Sequence, residues 1–405
     1  MNCDWNYESI KKMLAGRDLP AMLVNMDCLD HNILQVRKVA EKYGKNIRIA
    51  SKSIRVPHLI SYIFEKGGNH FKGIMCYSVK EAAYLYNHGF DDLLVAYPTS
   101  SASDLDIYYR LRQDKADVSL MVDSREQVDL VLSCWRNKQN KGAEQAKICI
   151  DADMSFRPMG MHLGVYRSSV LSLSAFEALL DYLLSAEDLK VSGIMGYEAQ
   201  IAGMGEQNPF SPLLNPVKKI IKKLSVKDVS RKRALMAELI EKKGLKPDFF
   251  NGGGSGSLST TSAEPWISEV TVGSGFLQSH LFDYYPGNVN KPALSFALQV
   301  DRIPGKALLT CKSGGFIASG EYGPDKAPVP FLPEGLSVVK NEGFGEVQTP
   351  IKLPRNLNLK IGDPVLFRPA KAGEIAERFT HYSLFRDNKI EKDVETYRGF
   401  GHCFF

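Results

Sequence analysis

From Ala21 to about Val272, short runs of β-branched and apolar residues alternate with segments of helical periodicity, which confines this stretch to parallel α/β architecture. Residues 21–26 form a first apolar run, and 30–43 follow with Ile33, Val36, Val39 and Ala40 on one helical face. Further strands are expected near 47–50, 73–77, 93–97, 118–122, 148–151, 191–197, 249–251 and 269–272. About eight strands with helices between them match the closed, TIM-like (β/α)8 barrel, whose chemistry sits where strands end and loops begin. The interval 201–246 is too long for a simple crossover. It holds NPFSPLLNP and then a Lys-rich helical stretch, and reads as an elongated barrel helix or a lid.

After about Tyr285 the pattern changes. Residues 294–300, 307–311, 336–340, 347–351 and 364–368 are short, alternating and separated by Gly, Pro and Asn turns, as in an antiparallel β domain. The expected division is a barrel over 28–285 and a C-terminal antiparallel β domain over 286–405, with residues 1–27 packing against the latter. With 405 residues, 44% hydrophobic, the chain can bury a core for both.

The net charge of +5 is scattered. Its densest cluster, Lys218 to Arg233, alternates with apolar residues and reads as a solvated helical face, so no nucleic-acid partner is expected. No apolar run reaches the length of a membrane span, and MNCDWNYESIKK lacks the apolar core of a signal peptide; a cytoplasmic protein is expected. The seven cysteines, at 3, 28, 76, 134, 149, 311 and 403, include no CxxC and no Cys/His quartet. Reduced thiols and no structural zinc are expected.

Lys52 lies in NIRIASKSIR, just past a strand and near Arg55. A lysine projecting from a strand's end into a pocket can hold an aldehyde cofactor as a Schiff base, although on its own it reads as a solvated strand-end cation. Two glycine-rich segments accompany it: Asn251-Gly252-Gly253-Gly254-Ser255-Gly256-Ser257 after the seventh barrel strand and Gly273-Ser274-Gly275 after the eighth. Barrels often hold phosphate on these two loops, where glycine lets backbone N–H groups come close and a helix terminus adds a favourable dipole. Lysine and loops together point to pyridoxal 5′-phosphate.

Arg157, in ICIDADMSFRPMG, could donate to the cofactor's phenolate oxygen or to the lysine, or pair with Asp151 or Asp153. Tyr197, in GIMGYEAQ, could contact the cofactor ring and Gln200 could hydrogen-bond it; packing is the alternative for both. His58, His88, His162 and His280 have no partner at metal spacing and read as surface or helix-end histidines.

The lysine after the first barrel strand, the acidic-then-Arg segment after the fifth, Gly-Tyr-Glu after the sixth and Gly-Gly-Gly-Ser-Gly-Ser after the seventh together resemble the alanine-racemase-like, fold-type III pyridoxal phosphate enzymes. Within these the chain is similar to the D-serine dehydratase and D-threonine aldolase branch, in its amino-acid deaminase/aldolase subgroup. GGFIASGEYGPDKAPVP, RPAKAGEIAERF and TYRGFGHCF extend the likeness over nearly the whole chain.

The resemblance implies a lyase for a small D-amino acid, working as a homodimer. Lys52 would bind the cofactor and act as base at Cα, with Gly253, Gly254, Ser255, Ser274 and Gly275 around the phosphate and Arg157 and Tyr197 near the ring. Two departures stand out. Where relatives carry a His-x-Cys or His-x-Asp metal pair, this chain reads Pro369-Ala370-Lys371, so no metal is expected there, and Lys371 or Glu374 is left as the acid for a departing hydroxide. Where relatives often have Gly-His after Gly-Tyr-Glu, this chain reads Ala199-Gln200, and His402-Cys403 does not substitute for a chelating pair. A racemase, with Tyr322 as a conceivable second base, and a non-catalytic cofactor carrier are the alternatives.

Overall fold

A computed structural model describes residues 4–138, 144–321 and 323–405. Eight strands close a parallel barrel in sequence order: β2 Asn46–Ala50, β3 Phe71–Cys76, β4 Leu93–Val95, β5 Val118–Val122, β6 Ala146–Asp151, β7 Leu189–Gly196, β8 Phe249–Gly252 and β9 Glu269–Val272. Closure is made by β9 against β2, with Ile47 opposite Val270 and Ile49 opposite Val272. The expected strands are all present. β4 stops two residues early, leaving Ala96 and Tyr97 beyond its end. Serine punctuates the barrel: Ser78, Ser101, Ser124 and Ser172 each accept a backbone N–H in the first turn of the helix that follows.

The long interval is mostly one helix, Asn215–Lys242. Its first half buries nothing until Ser225; its second half turns Val229, Arg233, Met236 and Ile240 inward at helical spacing. The solvated-face expectation therefore suits Lys219, Lys223, Lys227 and Arg231, which are exposed, and is wrong for Arg233, which is fully buried. A charge at a core position carries an opposite charge with it, and here there are two, Glu198 and Glu264.

The second unit is a nine-stranded sheet. It contains β1 Ala21–Asn25 and eight later strands: β10 Leu294–Gly305, β11 Leu308–Lys312, β12 Val329–Leu332, β13 Ser337–Val338, β14 Gln348–Lys352, β15 Pro364–Arg368, β16 His381–Arg386 and β17 Lys389–Glu395. The main path runs β13-β14-β11-β10-β1-β16-β17, with β15 also on β10 and β12 beyond it. Every pairing is antiparallel except β1 with β16.

The sheet domain seats directly on the turn after β2. A Cβ on Gly373 would lie 1.8 Å from the Lys52 carbonyl oxygen, so only glycine permits this contact. Arg55 locks it by pairing with Glu377 at 2.5 Å and accepting the Tyr397 N–H on its carbonyl at 2.9 Å. Cys76, Cys149 and Cys311 are buried free thiols, Cys134 and Cys403 are also free, and Cys3 lies outside the described residues. Among the described residues no helix is long and apolar enough to cross a membrane.

Candidate active site

Lys52 sits in the single 3-10 turn Ser51–Ser53 that ends β2, where the Ser51 hydroxyl anchors the turn on the Met75 carbonyl at 2.9 Å. Its ammonium donates to the Tyr97 hydroxyl at 2.9 Å. Burial alone would raise the Tyr97 phenol; the nearby Lys52 ammonium and the Arg167 guanidinium outweigh it and hold the phenol below its ordinary value. Arg167 reaches over both tyrosines of the site, 6.0 Å from the Tyr97 ring centre and 5.9 Å from that of Tyr197. Tyr197 is pushed up to about 12 by burial and by Glu198, so it stays a phenol.

These side chains line a cavity of about 460 Å³ at the C-terminal mouth of the barrel. One wall is acidic. Asp151, ending β6, is pushed up to about 7 by burial and by Asp123, with Arg167 opposing. Another wall is the glycine loop, where Gly253, Gly254 and Ser255 meet Ser274 from the loop after β9.

The loop's backbone is arranged differently from the sequence expectation. Gly253 has φ +76° and points its N–H away from the cavity to Glu198 Oε2 at 3.0 Å, and the Gly254 N–H goes to Ser257 Oγ at 3.1 Å. Gly275 stands behind Ser255, donating its N–H to Ser255 Oγ at 2.9 Å, and borders a groove on the outer side of the loop. The cavity thus presents the Ser255 and Ser274 side chains and the bare Cα of Gly254. The helix after the loop, Leu258–Ser262, is only five residues long and offers little dipole.

A second chamber, of about 1080 Å³, opens between the barrel mouth and the sheet domain and shares Lys52, Ser53, Tyr197, Ser274 and Phe282 with the first. Lys371 lines it. Its Nζ donates to the Ser319 carbonyl at 2.7 Å and to the Ser319 hydroxyl at 3.0 Å, with Glu374 at 3.8 Å. Burial lowers the Lys371 ammonium, Glu374 opposes, and Lys326 and Lys52 add like-charge repulsion. Lys52 and Lys371 thus act on one space. Beside Lys371, Ala370 is buried and the Pro369 carbonyl accepts the His280 N–H at 3.1 Å; among the described residues no group of three or more His, Cys, Asp or Glu is arranged to hold a metal ion.

Several expected residues lie elsewhere. Arg157 is exposed, pairs with Asp153 at 3.0 Å, contacts His162 Nδ1 at 3.3 Å and does not line the cavity; the local ion pair is the alternative the sequence offered. Gln200 is buried with its amide donated to the Met154 carbonyl at 2.7 Å. His280 is a core residue rather than a surface one, lowered to about 4 chiefly by burial. Tyr322 lies outside the described residues. Tyr97 and Arg167 were missed. Tyr97 had a signal, a strand-end position at the rim, whereas Arg167 sits in a loop with no motif around it.

The family described as alanine racemase, N-terminal domain, matches residues 24–276. Two curated relatives, 3-hydroxy-D-aspartate aldolases of Paracoccus denitrificans (strain Pd 1222) and Paracoccus denitrificans, are 23% and 25% identical over 256 residues. That stretch is 63% of this chain and 59% of each relative, about three fifths of their length. Among solved structures, D-threonine aldolase from Filomicrobium marinum superposes with a TM-score of 0.76 at 17% identity, over 95% of this chain and 97% of that one. D-threo-3-hydroxyaspartate dehydratase from Delftia sp. HT23 gives 0.72 at 16%, over 95% and 98%. Alanine racemase of Clostridium difficile 630, in complex with cycloserine, gives 0.62 at 13%, over 94% and 99%. The structures share the two-domain fold, and the match over 24–276 covers the strands that carry Lys52, Tyr197 and both glycine loops: the chain belongs to the alanine racemase N-terminal domain family.

Proposed function

We propose that the protein is a pyridoxal phosphate-dependent lyase for a small D-amino acid carrying a β-hydroxyl, acting in the cytoplasm as a homodimer. The observation that carries this reading is the common cavity: Lys52 at the end of the first barrel strand faces the same 460 Å³ space as Ser255 and Ser274. The donor set suits the cofactor. Two serine hydroxyls and the bare Cα of Gly254 can take a phosphate, Tyr197 can lie against a ring, and Lys52 can bond an aldehyde. The printed names of the aldolase and dehydratase relatives support the substrate class, since 3-hydroxyaspartate and threonine both carry a β-hydroxyl.

When bound, pyridoxal phosphate supplies an electron sink for charge developing at the substrate's Cα. The chain's residues supply the rest. Lys52 Nζ takes the Cα proton, and the Tyr97 hydroxyl, 2.9 Å away, hydrogen-bonds that nitrogen as it gains and loses protons. Arg167 keeps positive charge over both tyrosines and takes the ring-side role first assigned to Arg157. Lys371, fixed by Ser319 and weakened as a base-holder of its proton by burial, is placed to protonate a departing hydroxide or to hold the charge of the β-hydroxyl.

The test is direct. Borohydride reduction of the protein loaded with pyridoxal phosphate should label the Lys52 peptide, Lys52→Ala should remove the visible band, and a β-hydroxy D-amino acid should change the spectrum and yield a 2-oxoacid or an aldehyde. A label on another lysine, or a spectrum indifferent to every D-amino acid tried, overturns the reading.

A further inference from the structure

Beneath the glycine loop lies a charged group that the proposed chemistry does not use. Glu198 follows the Gly-Tyr of the sixth barrel strand and is fully buried. Its Oε1 accepts the Ser257 hydroxyl at 2.8 Å and the Thr261 hydroxyl at 2.6 Å, while Oε2 accepts the Gly253 N–H at 3.0 Å and pairs with Arg233 Nη2. Arg233, from the long helix, also donates to the Gly196 carbonyl at 2.5 Å and to Glu264 at 2.6 Å. Burial alone would raise the Glu198 carboxyl, but Arg233 and the three other donors bring it below its ordinary value, so the carboxylate is charged.

Most of the loop is shaped around this pair. A Cβ on Gly252 would lie 2.6 Å from Arg233 Nη2, so the first glycine of the segment makes room for the guanidinium. The second, Gly253, adopts its left-handed turn with the N–H on Glu198. The Ser257 hydroxyl, donated to Glu198, accepts the Gly254 N–H in turn, so two consecutive amides are held from behind, one directly and one through a relay. The residue these amides precede is Ser255, which faces the cavity. An ionised pair this deep costs desolvation that apolar packing would avoid, which points to a geometric role.

We propose that Glu198 and Arg233 are positioning residues that brace the phosphate loop, fixing the backbone ahead of Ser255 and so setting the preference for a phosphorylated cofactor over the same aldehyde without its phosphate. The proposal rests on the pyridoxal phosphate reading above. Its test compares two ligands, pyridoxal phosphate and pyridoxal, titrated into the cofactor-free protein and read by absorbance. Glu198→Gln keeps the shape and loses the charge; it should weaken pyridoxal phosphate about tenfold, the effect of one charge-assisted hydrogen bond, and leave pyridoxal within about twofold. Thr261→Val removes a single donor and should show a smaller loss of the same kind; it carries the test if Glu198→Gln does not fold. A folded variant that keeps the wild-type ratio of the two affinities overturns the brace, and so does an equal loss for both ligands, which marks a merely structural role. If the wild-type protein binds neither ligand, the cofactor reading itself falls and takes this proposal with it.

Discussion

Glu81 is fully buried near the start of helix Val79–Asn87 and forms no salt bridge among the described residues, its Oε2 accepting the Tyr77 N–H at 2.7 Å. Burial pushes its carboxyl from 4.5 up to about 7, against the pull of that hydrogen bond, of the Ser51 and Tyr397 hydroxyls and of the Arg55 charge. Below the lower value both folded and unfolded chains hold the proton. Between the two, the unfolded chain releases it and the native chain keeps it, so this group's contribution is lost as pH rises through about 7. Urea unfolding at pH 5 and pH 8 should therefore show a stability loss that is larger in the wild type than in Glu81→Gln by on the order of 2–3 kcal/mol, the remainder coming from groups such as Asp151 that Glu81→Gln leaves in place. Identical pH slopes would contradict this. Lys371 supports a second expectation at this scale. Held by Ser319 and facing the chamber that Lys52 also faces, it stands where a cation can act on the substrate, so Lys371→Ala should lower turnover about a hundredfold with cofactor occupancy unchanged. Pro369 and Ala370 offer no side-chain ligand, so turnover should survive exhaustive chelation. Activity that disappears with a chelator and returns with zinc or manganese would refute the assignment.

The segment that joins β8 to Leu258–Ser262 earns its glycines in a different way from the one its composition suggests. At Gly254 the backbone N–H is already engaged by Ser257, and what the cavity needs is the missing side chain: a Cβ there would come 3.1 Å from Ala202 Cβ and 3.5 Å from Tyr197 Cε2. Gly254→Val should thus weaken retention of pyridoxal phosphate at least tenfold in a folded protein, measured by dialysis and absorbance. Unchanged retention would remove the loop from the site. The barrel strands were legible because strands buried on both faces must be apolar throughout, as the five buried residues of β5 are. β17 was not, because its KIEKDVE buries only Val394 and offers no apolar run. β16 and β17 were joined by a cue that went unused, Asp387-Asn388, both at positive φ in a two-residue hairpin. Lys52 and both loops could be found because a lysine at a strand end and clustered glycine are rare signals. Arg233 could not, because its sequence neighbours are cations, and burial at that one position follows from helix phase against a barrel that local composition does not reveal.

At the scale of the whole molecule, two cavities meet over Lys52, one inside the barrel and one roofed by the sheet domain, and Gly373, Glu377 and Tyr397 are among the points where the roof touches the floor. That roof is threaded unusually. Val24 pairs with Leu294 on one side and Leu384 on the other, so the whole barrel is inserted between a strand and its partners. During synthesis at ~5–20 residues per second, β1 emerges on the order of ten or more seconds before β10 can join it, and β16 comes later still. Through that interval four consecutive core residues, Met22 to Val24 and the capping Asn25, lack the two strands that flank them in the native sheet, although all four are buried at the end. The nascent chain is then a closed barrel trailing an open, sticky strand, and the quality of its expression should depend on how well the cell shields that strand until the last tenth of the polypeptide arrives to cover it.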